Sequence, residues 1–187
     1  MDKIRDYFEN LAPLTEEEWG ILRKGFQKVD CAKGDLILSQ GDECDFVAFV
    51  EKGIFRYYHV KDGKEKVNDF WFPGEFFSDY RSYLTHSPSY NYIESMREGV
   101  IWKLKRGYLL EVYEKFPNLN KLGRKITEQI FLIVASRLDE IHHNTPKEHY
   151  LNILKRHPKF VQEIPQYMLA SYLGISPESL SRLRKRI

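Results

Sequence analysis

The stretch Gln166–Ile187, QYMLASYLGISPESLSRLRKRI, constrains this chain more than any other. It predicts two short helices crossing at a tight turn. The first spans Gln166–Tyr172 and turns Leu169, Ala170 and Leu173 inward. Gly174 lies four residues after Ala170, and Leu180 six residues further on. A small side chain lets two helices approach, glycine accepts the positive φ of the turn, and Leu fills the gap between them. Ser176-Pro177 restarts the chain as a helix, because the hydroxyl can accept from a free N–H and Pro fits the first helical position. Ile175, Leu180, Leu183 and Ile187 then make the apolar stripe. Glu178, Ser179, Ser181, Arg182, Lys185 and Arg186 are left pointing outward.

That outward face suits the major groove of double-stranded DNA. Arg bonds bidentately to guanine and Glu accepts from the cytosine amino group. Ser and Lys hold phosphates. The expected contact set is Ser176, Glu178, Ser179, Ser181, Arg182, Lys185 and Arg186. An amphipathic helix pair with a solvated basic end would share the stripe, since cations are favourable near a helix C-terminus. The small residues at fixed spacing favour the groove reader. Charge points the same way. Residues 145–187 hold eight Lys or Arg against three Glu, a net +5, which leaves −3 for the rest of a chain whose total is +2. A basic segment on a slightly acidic body fits nucleic acid.

At 187 residues the chain allows one large or two small domains. Hydrophobic residues are 42%, enough for a packed core. No apolar run is long enough to cross a membrane and the start, MDKIRDYFENL, is charged, so a cytoplasmic protein without membrane contact is expected. Cys31 and Cys44 form no disulfide framework and are too few for an iron–sulfur cluster.

Met1–Gln27 reads as helical, with Ile4, Phe8 and Leu11 on one face and a capping box at Thr15–Glu18 before Trp19, Leu22 and Phe26. From Val29 to Leu104 the pattern changes to short β-rich runs: Leu36–Leu38, Phe46–Val50, Ile54–Val60, Val67–Phe72, Tyr90–Ser95 and Val100–Leu104. Turn residues at 8–12-residue spacing predict an antiparallel sandwich or barrel, with a hairpin at Lys61-Asp62-Gly63-Lys64. Lys105–Tyr113 is a short helix. Pro117 opens a long one reaching about Asn144, with one stripe at Leu119, Leu122, Ile126, Ile130, Ile133 and Ile141 and a second at Phe131, Val134 and Leu138. Two apolar faces imply two partners, the β-domain and the same helix of a second subunit. A single broad face buried in its own chain is the other possibility. Thr145-Pro146-Lys147-Glu148 caps the next helix and marks a hinge. His149–His157 continues it, with Tyr150, Leu151 and Leu154 inward, and Pro158–Pro165 is a connector long enough only for a small hairpin or irregular loop.

The order of strand-rich roll, long helix and C-terminal helix-turn-helix resembles the Crp/Fnr family of bacterial transcription regulators. Lys33-Gly34-Asp35 with Ile37 and Gly41, Phe49, Gly53, Phe55-Arg56, Pro73-Gly74-Glu75-Phe76, and Ala170 through Lys185 carry the resemblance. It implies an α+β fold: a jelly-roll-like, cyclic-nucleotide-binding-type β-roll with flanking helices over residues 1–116, a dimerisation helix over 117–144, and a (winged) helix-turn-helix over 145–187. It also implies a homodimer on an operator, small-effector sensing and RNA polymerase as a possible further partner. Glu178 and Arg182 match base-reading positions of the family, and Ser176 and Ser179 would lie near phosphates. Pro177 stands where some members carry another base-reading Arg.

The effector segment departs from the family. Members that bind cyclic nucleotides follow Gly-Glu-Phe with a second Gly-Glu and then an Arg-Ser or Arg-Thr pair, which hold the cyclic phosphate. Here Ser78-Asp79 replaces the first and Ser89-Tyr90 the second. Cyclic AMP is therefore not expected as a tight ligand. Arg81 could take the missing role or serve the surface. The pocket takes either no ligand or another effector, which would meet Trp71, Glu75, Ser78, Asp79, Tyr80, Arg81, Ser89, Tyr90 and Tyr92. The six histidines show no metal-ligand spacing. No nucleophile–base set, phosphate loop or metal set assembles, so no enzyme and no obligatory cofactor are expected. The rival is a ligand-binding module whose helical tail docks a protein partner.

Overall fold

Asp62 and Gly63 adopt positive φ, 52° and 70°, as a two-residue type I′ hairpin turn requires. Lys61 and Lys64 therefore face each other, and β4 (Phe55–Lys61) runs antiparallel to β5 (Lys64–Trp71). This computed structural model describes residues 1–186, and of residues 137, 140, 141, 159 and 160 the backbone alone. Ile141 and Ile187, two members of the expected stripes, thus lie outside the described side chains.

Six more strands complete two sheets: β1 (Phe26–Cys31), β2 (Leu36–Leu38), β3 (Phe46–Lys52), β6 (Phe76–Phe77), β7 (Tyr92–Ser95) and β8 (Gly99–Lys105). The first sheet runs β1-β8-β3-β6 and the second β2-β7-β4-β5, every pair antiparallel. The expected runs are all represented. Phe26 and Gln27, assigned to a helix from sequence, instead begin β1 and pair with Leu104 and Lys103. Phe26 suits either period, and pairing along β8 decides it. Cys31, Ala48, Val50, Phe55, Phe77, Ile93 and Ile101 fill the space between the sheets, and both cysteines are buried free thiols.

Helices cover both outer faces. On the first sheet lie α1 (Asp2–Glu9), α2 (Glu16–Gly25), α4 (Arg106–Lys115) and the start of α5 (Pro117–His143). Ile4, Phe8, Trp19, Leu22, Leu109, Leu119 and Leu122 pack there around Phe49 and Leu104. A short helix, α3 (Tyr80–Thr85), follows β6 and is capped by Asp79. At 27 residues, α5 spans about 40 Å. Its first stripe is buried only at its beginning, since Ile133 is exposed; Phe131, Val134 and Leu138 are 70%, 51% and 52% exposed.

The second sheet is covered by α6 (Pro146–Arg156), α7 (Pro158–Val161), α8 (Gln166–Tyr172) and α9 (Pro177–Arg184). Ile54, Tyr58, Val67, Phe70 and Phe72 share one core with Tyr150, Ile153, Ile164, Leu169, Leu173 and Leu180. The turn after α5 therefore returns the chain onto the roll. β5 is an edge strand of this sheet, and its Val67 N–H donates to Ser171 Oγ at 3.1 Å. His157 stacks on Phe72 at 4.2 Å, and Arg97 pairs with Glu163. Three expectations change. The inward residues of α6 are His149, Tyr150 and Ile153, with Leu151 and Leu154 only half-buried. The connector contains α7. No strand follows Lys105 among the described residues, so no wing lies among them.

Both capping boxes are present. At Thr145, the hydroxyl accepts from Glu148 N at 3.3 Å and the Glu148 carboxylate accepts from Thr145 N at 2.8 Å. Thr145→Ala should cost about 1 kcal/mol, read as a lower urea midpoint; no change would mean that α6 is held by its packing alone.

Candidate effector cleft and nucleic-acid interface

The helix pair α8–α9 is built as its local chemistry dictates. Leu169 and Ala170 are buried at the crossing, Gly174 takes φ +68°, and Leu180 is fully buried between the helices. Ser176 Oγ accepts from Ser179 N at 3.2 Å, which caps α9, and Pro177 occupies its first position. With Leu180 inward, Glu178 and Arg182 are exposed; Ser179 and Ser181 are half-buried beside them. A hydrogen bond from Ser176 holds the Glu178 carboxyl below its ordinary value, so it is an acceptor at neutral pH. The Arg182 guanidinium reaches Ser179 Oγ at 3.3 Å. Lys185 and Arg186 lie exposed just beyond the end of α9. Arg184, absent from the expected set, turns back onto the Tyr150 ring at 5.6 Å and ties α9 to α6. Its place four residues after Leu180, on the same helix face, was the available signal.

A cleft of about 1020 Å³ opens between the roll and α5. Tyr57, Trp71, Phe77 and Tyr80 wall it on the roll side, Leu122, Ile126 and Ile130 on the helix side. Of the nine residues expected around an effector, Trp71, Ser78, Asp79, Tyr80 and Arg81 border this cleft. The other four do not. Ser89 is buried and donates to Asp79 at 2.5 Å. Tyr90 is exposed, its hydroxyl 3.2 Å from Arg81 and its ring under that guanidinium at 4.2 Å. Tyr92 faces the opposite side of the sheet and stacks on Tyr58 at 5.1 Å. Glu75 borders a second hollow with Arg156 and His157.

Asp79 is 2% exposed. It accepts from Ser82 N at 3.1 Å, Ser89 Oγ at 2.5 Å and Asn91 Nδ2 at 3.4 Å. Asn91 also donates to the Tyr57 phenol at 2.7 Å, and burial together with Asp79 pushes the Tyr57 hydroxyl above its usual range. Sequence reasoning missed Tyr57 and Asp69, which face each other on the inner side of β4 and β5.

At the second hollow, burial pushes the Glu75 carboxyl up to about 7, against the Phe72 N–H that it accepts at 2.8 Å. Its other oxygen lies 3.4 Å from His157 Nε2, and burial pushes that imidazole down. The folded chain thus holds a proton on Glu75 that the unfolded chain has lost, between about 4.5 and about 7. Stability is contributed below that window and lost as pH rises through it. Glu75→Gln, neutral throughout, should gain stability relative to the parent from about pH 5 to about pH 8. Urea midpoints at both values check this, and a pH-independent difference contradicts it.

Residues 28–116 match the family model described as the cyclic nucleotide-binding domain. Comparison with curated proteins gives no match. The fold is similar to that of Thermus thermophilus catabolite activator protein, at TM-score 0.57 and 22% identity over 94% of this chain and 84% of that one. FixK2 from Bradyrhizobium japonicum aligns with TM-score 0.67 and 17% identity over 86% and 83%. The c-di-GMP-responsive regulator CLP of Xanthomonas campestris aligns with 0.68 and 14% over 92% and 91%. The chain therefore has a cyclic-nucleotide-binding-type β-roll joined to a helical C-terminal part, and shares its fold with these proteins. No helix among the described residues is long and apolar enough to cross a membrane.

Proposed function

We propose that the chain is a dimeric, sequence-specific DNA-binding transcription regulator of the Crp/Fnr type, working in the cytoplasm. Residues 1–116 sense, 117–144 dimerise and 145–187 read DNA as a helix-turn-helix. One observation carries the reading: the bend at Gly174 buries Leu180 and leaves Glu178 and Arg182 together on the free side of α9. Arg182 and Glu178 read base edges, while Ser176, Ser179, Ser181, Lys185 and Arg186 hold phosphates. Phe131, Val134 and Leu138 meet the same residues of a second subunit. An effector in the cleft against α5 biases that seam and with it the spacing of the two reading heads.

Duplex binding measured across salt tests the reading. With six or more phosphate contacts per dimer, affinity should fall roughly 10³-fold between about 50 and 200 mM salt. A flat response would favour a tail that docks a protein.

A further inference from the structure

We propose that the cleft between the roll and α5 admits an organic cation with a flat apolar body and excludes phosphate-bearing effectors. This rests on reading that cleft as the effector site. In the resemblance, the positions of Ser78-Asp79 and Ser89-Tyr90 hold an anion. Here Asp79 and Ser89 are bonded to each other at 2.5 Å, so a carboxylate occupies the cradle. The partners of Asp79 are uncharged: a backbone N–H, a hydroxyl, an amide and the Tyr57 phenol. A buried anion so placed is solvated by dipoles but lacks a countercharge. An entering cation supplies one, whereas a phosphate adds a second buried anion.

Two further features agree. Asp69, which accepts from the Phe70 N–H at 2.8 Å, also borders this cleft on the inner side of β5 with Trp71. The walls are aromatic, and the faces of Tyr57, Trp71 and Tyr80 attract cations. The three arginines that also border the cleft are engaged elsewhere: Arg81 lies over Tyr90 and donates to that phenol, Arg106 donates to Glu43 and to the Tyr83 carbonyl, and Arg124 donates to Glu128. A space of about 1020 Å³ takes a multi-ring molecule.

Titration calorimetry of the full chain with a matched set of probes tests this. The set is 1-(aminomethyl)naphthalene as the cation, 1-naphthoate as the anion, and cyclic AMP. The cation should bind at least about tenfold more tightly than naphthoate, and cyclic AMP should not displace it. Asp69→Asn should narrow that ratio without touching the cap of α3; Asp79→Asn should narrow it further. Equal or reversed affinities, displacement by cyclic AMP, or no naphthalene binding at all would overturn the proposal. Duplex binding by the same preparation, with no probe present, separates the two readings: DNA binding without cation preference sinks the ligand class alone, and cation preference without DNA binding sinks the regulator alone.

Discussion

Replacing Val134 and Leu138 with Glu should leave the chain monomeric and lower its affinity for a palindromic duplex by about 10²- to 10⁴-fold. Phe131, Val134 and Leu138 recur at three- and four-residue spacing, and all three are more than half exposed on α5. Leu119 and Leu122, earlier on the same helix, are buried against the roll. The apolar pattern thus continues past the point where its own chain covers it. A second α5 removes that surface from water. Glu at the seam would have to be desolvated without a partner, which costs more than the seam gains. A monomer keeps one reading head and loses the second head's effective concentration. Sedimentation velocity reads the mass and fluorescence anisotropy reads the affinity. A doubly substituted chain that remains a dimer would place the interface elsewhere.

Arg182→Ala should cost roughly 1–3 kcal/mol on the preferred site and relax preference at one base pair. The side chain is exposed on α9, one turn from Glu178, and its local partner is the Ser179 hydroxyl. That contact is weak enough to be exchanged for a guanine edge. Lys185→Ala should instead weaken binding alike on every sequence, because a lysine beyond the helix end meets phosphates. Anisotropy against a panel of single-base variants distinguishes them. Equal loss on all sequences with Arg182→Ala would make Arg182 a phosphate contact.

How much of this was legible in the sequence depends on how local the cause is. The boundaries of α8, the cap at Ser176 and the turn at Gly174 were readable because each rests on residues within one turn of the chain. The hairpin at Asp62-Gly63 was readable for the same reason. The cleft was less so. A register shift between Tyr57 and Tyr58 opposes Asp69 to Tyr57 and leaves Asn68 as the extra residue. That shift turns Asp69 and Trp71 toward the roll interior and Phe70 and Phe72 toward the C-terminal helices. Simple alternation from the hairpin would have reversed them. Tyr92 was misplaced for a similar reason: its face follows from pairing with Tyr58 on β4, which no local pattern declares.

The docking of α6–α9 on the second sheet was not legible either. Its contacts join residues far apart in the chain, such as Val67 to Ser171 and Phe72 to His157. Thr145 looked like a hinge because a capping box starts a helix wherever it occurs. Whether the new helix swings free or folds back depends on the apolar surface it meets, here Tyr58, Val67, Phe70 and Phe72.

Selection of bound sites from random duplex DNA bears most directly on the claim that α9 reads sequence as one of a symmetric pair. The enriched sites should be inverted repeats, with half-site centres about 34 Å apart. Recovery of unenriched sequences, or of a single unrepeated half-site, would contradict it.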